Sequence, residues 1–474
     1  MGNSSHHFGA LLIFFAATVT ADICHAADPA DQTAAVIKRG EYLATAADCA
    51  ACHTAPRGER FAGGLPIATP LGTIYTTNIT PSMDFGIGRY TEEEFARALR
   101  RGVRRDGANL YPAMPYTSYA KFTDEDARAL YLYFTQAVKP VEQLIPPTQL
   151  PFPMNIRASM LAWNLLFLDT AAFVPDPHQS AEWNRGAYLV QGATHCSTCH
   201  TPRGFLMQEK TSRALSGAQV GPWYAPNITP DPISGIGRWT KEELAAYLRT
   251  GHLPGKAQAA GSMGEAVQDS FQHLAAADLD AIATYIKSVP ASHGPANDAS
   301  RFTAGTMFSE LAALRGRDGI RSDNDADPTG AALFQGNCTS CHSAGGQGSK
   351  DGYYPSLFAN SATGAKNATN LIAAILYGVD RTTSRGQAFM PGFGGHPTDA
   401  NPLSDRNIVA LGNYVLAHYG SADTTITEPQ VAEERRGGPS SPLLALARAG
   451  MAAAAIVVCL GIAFLIIRRR KSAA

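Results

Sequence analysis

Cys49-Ala50-Ala51-Cys52-His53 is the stretch on which the reading turns, and it recurs in kind as Cys196-Ser197-Thr198-Cys199-His200 and Cys338-Thr339-Ser340-Cys341-His342. Two thiols with two residues between them stand about one helical turn apart, and the histidine that follows can serve the same face. C-x-x-C-H is the attachment signature of c-type haem: the thiols add to the two vinyl groups and the imidazole meets the iron. With 8 Cys and 13 His in 474 residues, one such motif is expected roughly 0.004 times by chance, so three copies are not accidental. A disulfide framework does not require three identical gaps each closed by histidine. A zinc site would need pairs 147 and 142 residues apart to converge, and a thioredoxin-like pair does not need the histidine. The sequence therefore predicts three covalently bound haem c groups, at Cys49, Cys52 and His53, at Cys196, Cys199 and His200, and at Cys338, Cys341 and His342.

A haem held by histidine on one side becomes an inert electron carrier when a second ligand, commonly methionine, closes the other. That ligand must return from the far side of the domain. Met114 lies 61 residues after His53 in LYPAMPYTSY, Met263 lies 63 after His200 in AAGSMGEAV, and Met390 lies 48 after His342 in AFMPGF. These three are the expected axial ligands. Met207, seven residues after its histidine, cannot reach, and Met83 precedes a Thr-capped helix and is poorly placed. Three closed irons argue for electron transfer over small-molecule chemistry.

The first two haem segments are repeats. NITP at Asn78–Pro81 recurs at Asn227–Pro230, and GIGRYT at Gly86–Thr91 recurs as GIGRWT at Gly235–Thr240, both at an offset of 149. Thr91-x-x-Glu94 and Thr240-x-x-Glu243 are capping boxes that open helices. Each segment begins with a short helix carrying a glycine and an aromatic residue (Gly40/Tyr42, Gly186/Tyr188, Gly330/Phe334). Each ends with an amphipathic helix (Asp124–Ala137, Asp278–Val289, Asp405–Tyr419). Arg89/Tyr90 and Arg238/Trp239 suit haem propionates, or equally solvent and core. Met160–Val174 is apolar but holds Asn164 and Asp169; a helix packed between domains is the first reading and a partner-contact surface the second.

The two ends differ. Leu11–Val19 is apolar but too short to span a bilayer, and small residues follow it, so residues 1–26 read as a signal peptide. Ala449–Ile467 has no charge and is long enough to cross a ~30 Å hydrocarbon core. Arg468-Arg469-Arg470-Lys471 follows at once, which puts the C-terminus in the cytoplasm and the body in the periplasm of a cell membrane. The whole chain has Lys+Arg 39, Asp+Glu 40 and a net charge of -1. Because the tail is basic, the body is left slightly acidic, and nucleic acid is excluded as a partner. An apolar content of 45% with 17% charged residues excludes a largely disordered chain.

The openings and closings resemble the class I cytochrome c fold, in which the first and last helices cross at a glycine–aromatic contact. In that fold a proline carbonyl holds the proximal histidine; Pro355 and Pro226 fit the role, and Thr77 stands there in the first segment. The strings NITP…GIGRYT…LYPAMPYTSYAKFTDED and RGAYLVQGATHCSTCHTPRG resemble the triheme cytochrome c subunit of bacterial membrane-bound dehydrogenases acting on alcohols, gluconate or related sugars and polyols. The resemblance covers roughly residues 33–420 and implies an all-α chain of three tandem class I domains plus one C-terminal transmembrane helix. Their expected bounds are 33–140, 181–291 and 326–421, with linkers 141–180, 292–325 and 422–448, a span at 449–467 and a basic tail at 468–474. It implies a separate catalytic subunit using flavin, pyrroloquinoline quinone or molybdenum, and ubiquinone as acceptor. A subunit feeding a terminal oxidase, or one serving a molybdenum aldehyde or nicotinate dehydrogenase, is the alternative. No GxGxxG follows a strand, so substrate oxidation is not expected in this chain.

Overall fold

The structure, a computed structural model, describes residues 1–2, 29–293, 300–309, 329–399 and 401–472. The expected signal peptide lies outside the described residues but for its first two, as do 294–299 and 310–325 of the expected second linker, the first three residues of the expected third domain and the last two residues of the tail. Helices dominate, but the chain is not helical throughout. Four two-stranded antiparallel hairpins interrupt it: Pro66–Thr69 with Gly72–Tyr75, Ala218–Val220 with Trp223–Ala225, His252–Leu253 with Ala257–Gln258, and Val379–Thr383 with Gly386–Met390. They form in the Gly- and Pro-rich stretches between the haem motifs and the closing helices. There, turns with positive φ at Gly72, Gly221, Gly255 and Gly386 fold short runs back on themselves.

Three helix crossings organise the molecule. Helix Pro29–Ala46 packs on Asp124–Leu132, helix Ala181–Tyr188 on Ala276–Ser288, and helix Gly330–Asn337 on Asp405–Tyr419. At each crossing a glycine lets the backbones touch. A Cβ at Gly40 would lie 2.0 Å from the Ala129 carbonyl oxygen, at Gly186 1.9 Å from that of Ala281, and at Gly330 2.3 Å from that of Ala410. The residue also pressed on each glycine is a tyrosine of the closing helix: Tyr133, Tyr285 or Tyr414. Helices Glu92–Arg101 and Lys241–Thr250 start at Thr91 and Thr240 with complete capping boxes and stop at left-handed Gly102 and Gly251.

The apolar core does not divide in three. One core runs without a break from Leu43 through Phe122, Tyr188 and Leu189 to Ile286, and a second, separate one holds Phe334, Ile372, Leu416 and Val431. The first two units are joined by a reciprocal exchange of tyrosines. Asp126, wholly buried, accepts from Arg39 of its own unit and from the Tyr188 hydroxyl of the other. Asp278 accepts from Arg185 Nε at 2.8 Å and Nη2 at 2.7 Å in its own unit, and from the Tyr42 hydroxyl of the other at 2.5 Å. Burial alone pushes the Asp278 carboxyl up, but the Arg185 and Tyr42 hydrogen bonds outweigh it and hold the group below the ordinary aspartate range. Tyr119 against the His195 ring (5.8 Å) and Phe122 against Tyr188 (6.3 Å) fill the same seam.

The segments expected as linkers are more structured than their composition implies. Helix Ser159–Phe167 bridges the first two units without being packed between them. Its Trp163 indole donates to the Leu206 carbonyl at 2.9 Å, and Asn164 accepts from Tyr116 at 2.8 Å. Leu161, Leu165 and Leu166 remain exposed, because only one side of this nine-residue helix meets the body. Residues 422–448 hold helix Glu428–Arg435, seated on the third unit by buried Val431 and by Arg435, which donates to Asp405 at 2.7 Å and to the Leu403 carbonyl at 3.0 Å. Helix Leu443–Ser472 is long and apolar enough to cross a membrane, and Arg448, near its start, donates to the Phe152 carbonyl at 3.0 Å.

Candidate functional site

Each C-x-x-C-H stretch is a single helical turn that follows the opening helix of its unit: Cys49–His53, Cys196–His200 and Thr339–His342. In the first two units the turn is set off by a left-handed residue, Asp48 (φ 52) and His195 (φ 36), which breaks the preceding helix and re-aims the chain. The cysteines are not paired to one another; all seven described cysteines are free thiols. Burial pushes Cys49 and Cys338 up to about 12, so both are neutral thiols.

The three histidines share one hydrogen bond. Nδ1 of His53 donates to the Thr77 carbonyl at 2.7 Å, that of His200 to the Pro226 carbonyl at 2.7 Å, and that of His342 to the Pro355 carbonyl at 2.9 Å. A carbonyl oxygen only accepts, so the proton sits on Nδ1 and the Nε2 lone pair is free for a metal. Burial lowers the pKa of all three by more than these bonds raise it, which keeps the imidazoles neutral. Thr77 thus stands in the position taken by proline in the other two units. The acceptor is a main-chain atom, so the residue type matters little.

Of the candidate second ligands, Met114 and Met263 pack against the first core and Met390 against the second. Met114 follows the turn at Tyr111, Met263 lies in helix Gly261–Asp269, and Met390 ends strand Gly386–Met390, opposite Val379. Met83 is exposed and Met207 occupies a tight turn with φ 65. Arg89 is not free for a propionate: it donates to the Met83 carbonyl and to Asp84. Trp239 is buried instead, and its indole N–H has no acceptor.

The donor set fits a haem. Paired unbridged thiols, a histidine tautomer with Nε2 free, and a softly packed methionine are the attachment and axial groups of haem c. Buried N–H groups without an acceptor, on Arg97 and Trp239 among others, are what a cofactor bearing two carboxylates satisfies. Among the described residues no cluster of three or more His, Cys, Asp or Glu could hold a bare metal ion.

Units one and two approach at their haem motifs. Ser270 donates to the Ala46 carbonyl at 3.3 Å, and helix Gly261–Asp269 packs against Cys49–His53. The same helix packs on strand Val379–Thr383 of the third unit, where Thr382 N–H donates to Gln268 at 2.8 Å. The second unit therefore touches both others.

Crossed helices at glycine, C-x-x-C-H turns and carbonyl-held histidines define a cytochrome c. Consistent with this, the cytochrome c family model matches residues 184–290 and 328–418. The chain is 47% identical over 457 residues to the fructose dehydrogenase cytochrome subunit of Gluconobacter japonicus, covering 94% of each chain. It is 37% identical to the cytochrome c subunit of the quinone alcohol dehydrogenase of Gluconacetobacter polyoxogenes (86% of each chain). To the gluconate 2-dehydrogenase cytochrome c subunit of Pantoea cypripedii it is 38% identical (85% of this chain, 90% of the relative). The chain belongs to this family of dehydrogenase cytochrome c subunits, and it is an electron-transfer subunit of a dehydrogenase complex.

Proposed function

We propose that the chain carries three covalently bound haem c groups in three tandem class I cytochrome c domains, and that it relays electrons from a catalytic dehydrogenase subunit to ubiquinone. Cys49/Cys52, Cys196/Cys199 and Cys338/Cys341 attach the groups; His53, His200 and His342 are the proximal ligands, and Met114, Met263 and Met390 the distal ones. Haem c supplies reversible one-electron chemistry when bound. The protein's part would be to fix each imidazole through its Nδ1 hydrogen bond and to offer a histidine and a methionine to each iron. The observation that carries this reading is the repetition: three free C-x-x-C pairs, each followed by a histidine held through Nδ1 by a main-chain carbonyl at 2.7–2.9 Å.

The partner oxidises an alcohol, gluconate or a related sugar or polyol, with flavin, pyrroloquinoline quinone or molybdenum as its cofactor. The higher identity to a fructose dehydrogenase subunit, 47% against 37% and 38%, favours a sugar or polyol. Helix Leu443–Ser472 anchors the chain, with the haem domains in the periplasm and Arg468–Lys471 in the cytoplasm. Haem stoichiometry is the test. Purified full-length protein is expected to hold three haem c per chain, and replacing one cysteine pair by alanine lowers that to two. A wild-type count of two, or a count unmoved by the Cys338/Cys341 replacement, would refute the triheme reading.

A further inference from the structure

The contact between the second and third units holds two guanidinium groups, one buried and one half-buried with its Nε enclosed, to which the protein supplies no carboxylate. Arg381, on strand Val379–Thr383 of the third unit, is 3% exposed. Its Nη1 donates to the Ala259 carbonyl at 2.5 Å, and its Nε is buried with no acceptor. Arg301 lies in the stretch expected as a polar linker. Its Nη2 reaches the Asn227 carbonyl at 3.4 Å, its guanidinium lies 5.0 Å from the Phe302 ring centre, and its Nε is likewise buried without an acceptor. Among the described residues neither forms an ion pair with a carboxylate. Their ionisable neighbours are Tyr247, beside both, and Tyr224 and His200, beside Arg301. Burial pushes Arg301 down to about 10. A buried cation without a counter-charge is strongly destabilising, so such a pair implies an anion.

The surroundings locate that anion. Asn227 follows Pro226, whose carbonyl holds His200, and Ala259 lies four residues before Met263. The two arginines thus reach the second unit from the side of its histidine and from the side of its methionine. Between them Tyr247 sits 5.2 Å from Trp239, whose buried indole N–H lacks an acceptor. Gly251, left-handed at φ 67, makes room: a Cβ there would lie 2.6 Å from the Arg381 guanidinium carbon.

We propose that Arg301 and Arg381 are the counter-charges for the two propionate carboxylates of the haem carried by Cys196 and Cys199, so that the third unit completes the second unit's haem pocket. This rests on the reading of the second unit as haem-bearing. A positive charge beside the haem disfavours the more positive, oxidised state, so removing it lowers the potential of that haem.

Potentiometric titration of the full-length protein, followed by haem absorbance, tests the assignment in Arg381→Gln, Arg301→Gln, Arg381→Lys and Gln268→Ala. Each Gln variant of the two arginines is expected to move the same one of three waves to lower potential and leave the other two in place. Arg381→Lys, which keeps the charge, recovers part of the shift. Gln268→Ala loosens the same strand by removing the acceptor of the Thr382 N–H but changes no charge, and it leaves all three waves unmoved. Three unmoved waves in Arg381→Gln and Arg301→Gln with the haem count intact, or an equal shift in Gln268→Ala, would overturn the proposal. A wild-type peptide spanning Cys196–His200 without haem mass would remove the proposal together with the reading beneath it.

Discussion

At the scale of single residues, the site depends on which atom of each histidine is free. The carbonyls of Thr77, Pro226 and Pro355 take the Nδ1 proton, and the opposite ligand then decides whether the iron is closed. Met263 is the most informative of the three candidates, because it lies in a helix that touches both neighbouring units. Met263→Ala is expected to convert one third of the haem from a low-spin to a high-spin or water-ligated form and to lower one potential. Optical and paramagnetic resonance spectra identical to wild type would remove Met263 from the ligand set. The candidate cysteines, histidines and methionines stand out in the sequence because the chemistry proposed for them requires fixed residue types at fixed or bounded spacing. Thr77 was less so, since a main-chain acceptor leaves no mark on side-chain identity. Arg301 is not legible because an arginine in a polar stretch reads as solvated, and only its enclosed Nε in the folded chain distinguishes it.

At the scale of elements, three glycines set the helix crossings, and each is in contact with a carbonyl of the facing helix. Gly330→Ala would force its Cβ to within 2.3 Å of the Ala410 oxygen, an overpacking that costs about 1–3 kcal/mol. The third unit has its own core, so the loss stays local. Hydrogen exchange is expected to quicken in helix Asp405–Tyr419 and to remain at the wild-type rate in Ala276–Ser288. Equal loss of protection in both would contradict the separation of the two cores. The capping boxes at Thr91 and Thr240 marked their helices correctly, since a cap is a local signal. The exchange of Tyr42 and Tyr188 between units was not legible. A tyrosine beside the crossing glycine satisfies the local pattern equally well whichever carboxylate its hydroxyl finally meets. Helix Glu428–Arg435 was hidden for a related reason: Val431 is its one buried apolar residue, too little to stand out from a linker.

At the scale of the molecule, the first and second units form one body through a shared core and reciprocal Tyr–Asp bonds, and the third docks on the second through Arg381, Thr382 and Asn370. That succession is what a relay needs: neighbouring sites held at fixed separation, with no substrate pocket of the chain's own required. The central claim is that the chain moves electrons for a partner and oxidises nothing by itself. Its most direct test is haem reduction followed by absorbance in the purified full-length protein, with D-fructose, ethanol, gluconate or sorbitol supplied first alone and then with a catalytic dehydrogenase subunit that co-purifies with it. The haems are expected to stay oxidised with every substrate alone, to be reduced when the catalytic subunit and its substrate are both present, and to be reoxidised on addition of ubiquinone. Substrate oxidation by the isolated chain, or haems that stay oxidised beside an active catalytic subunit, would contradict the account.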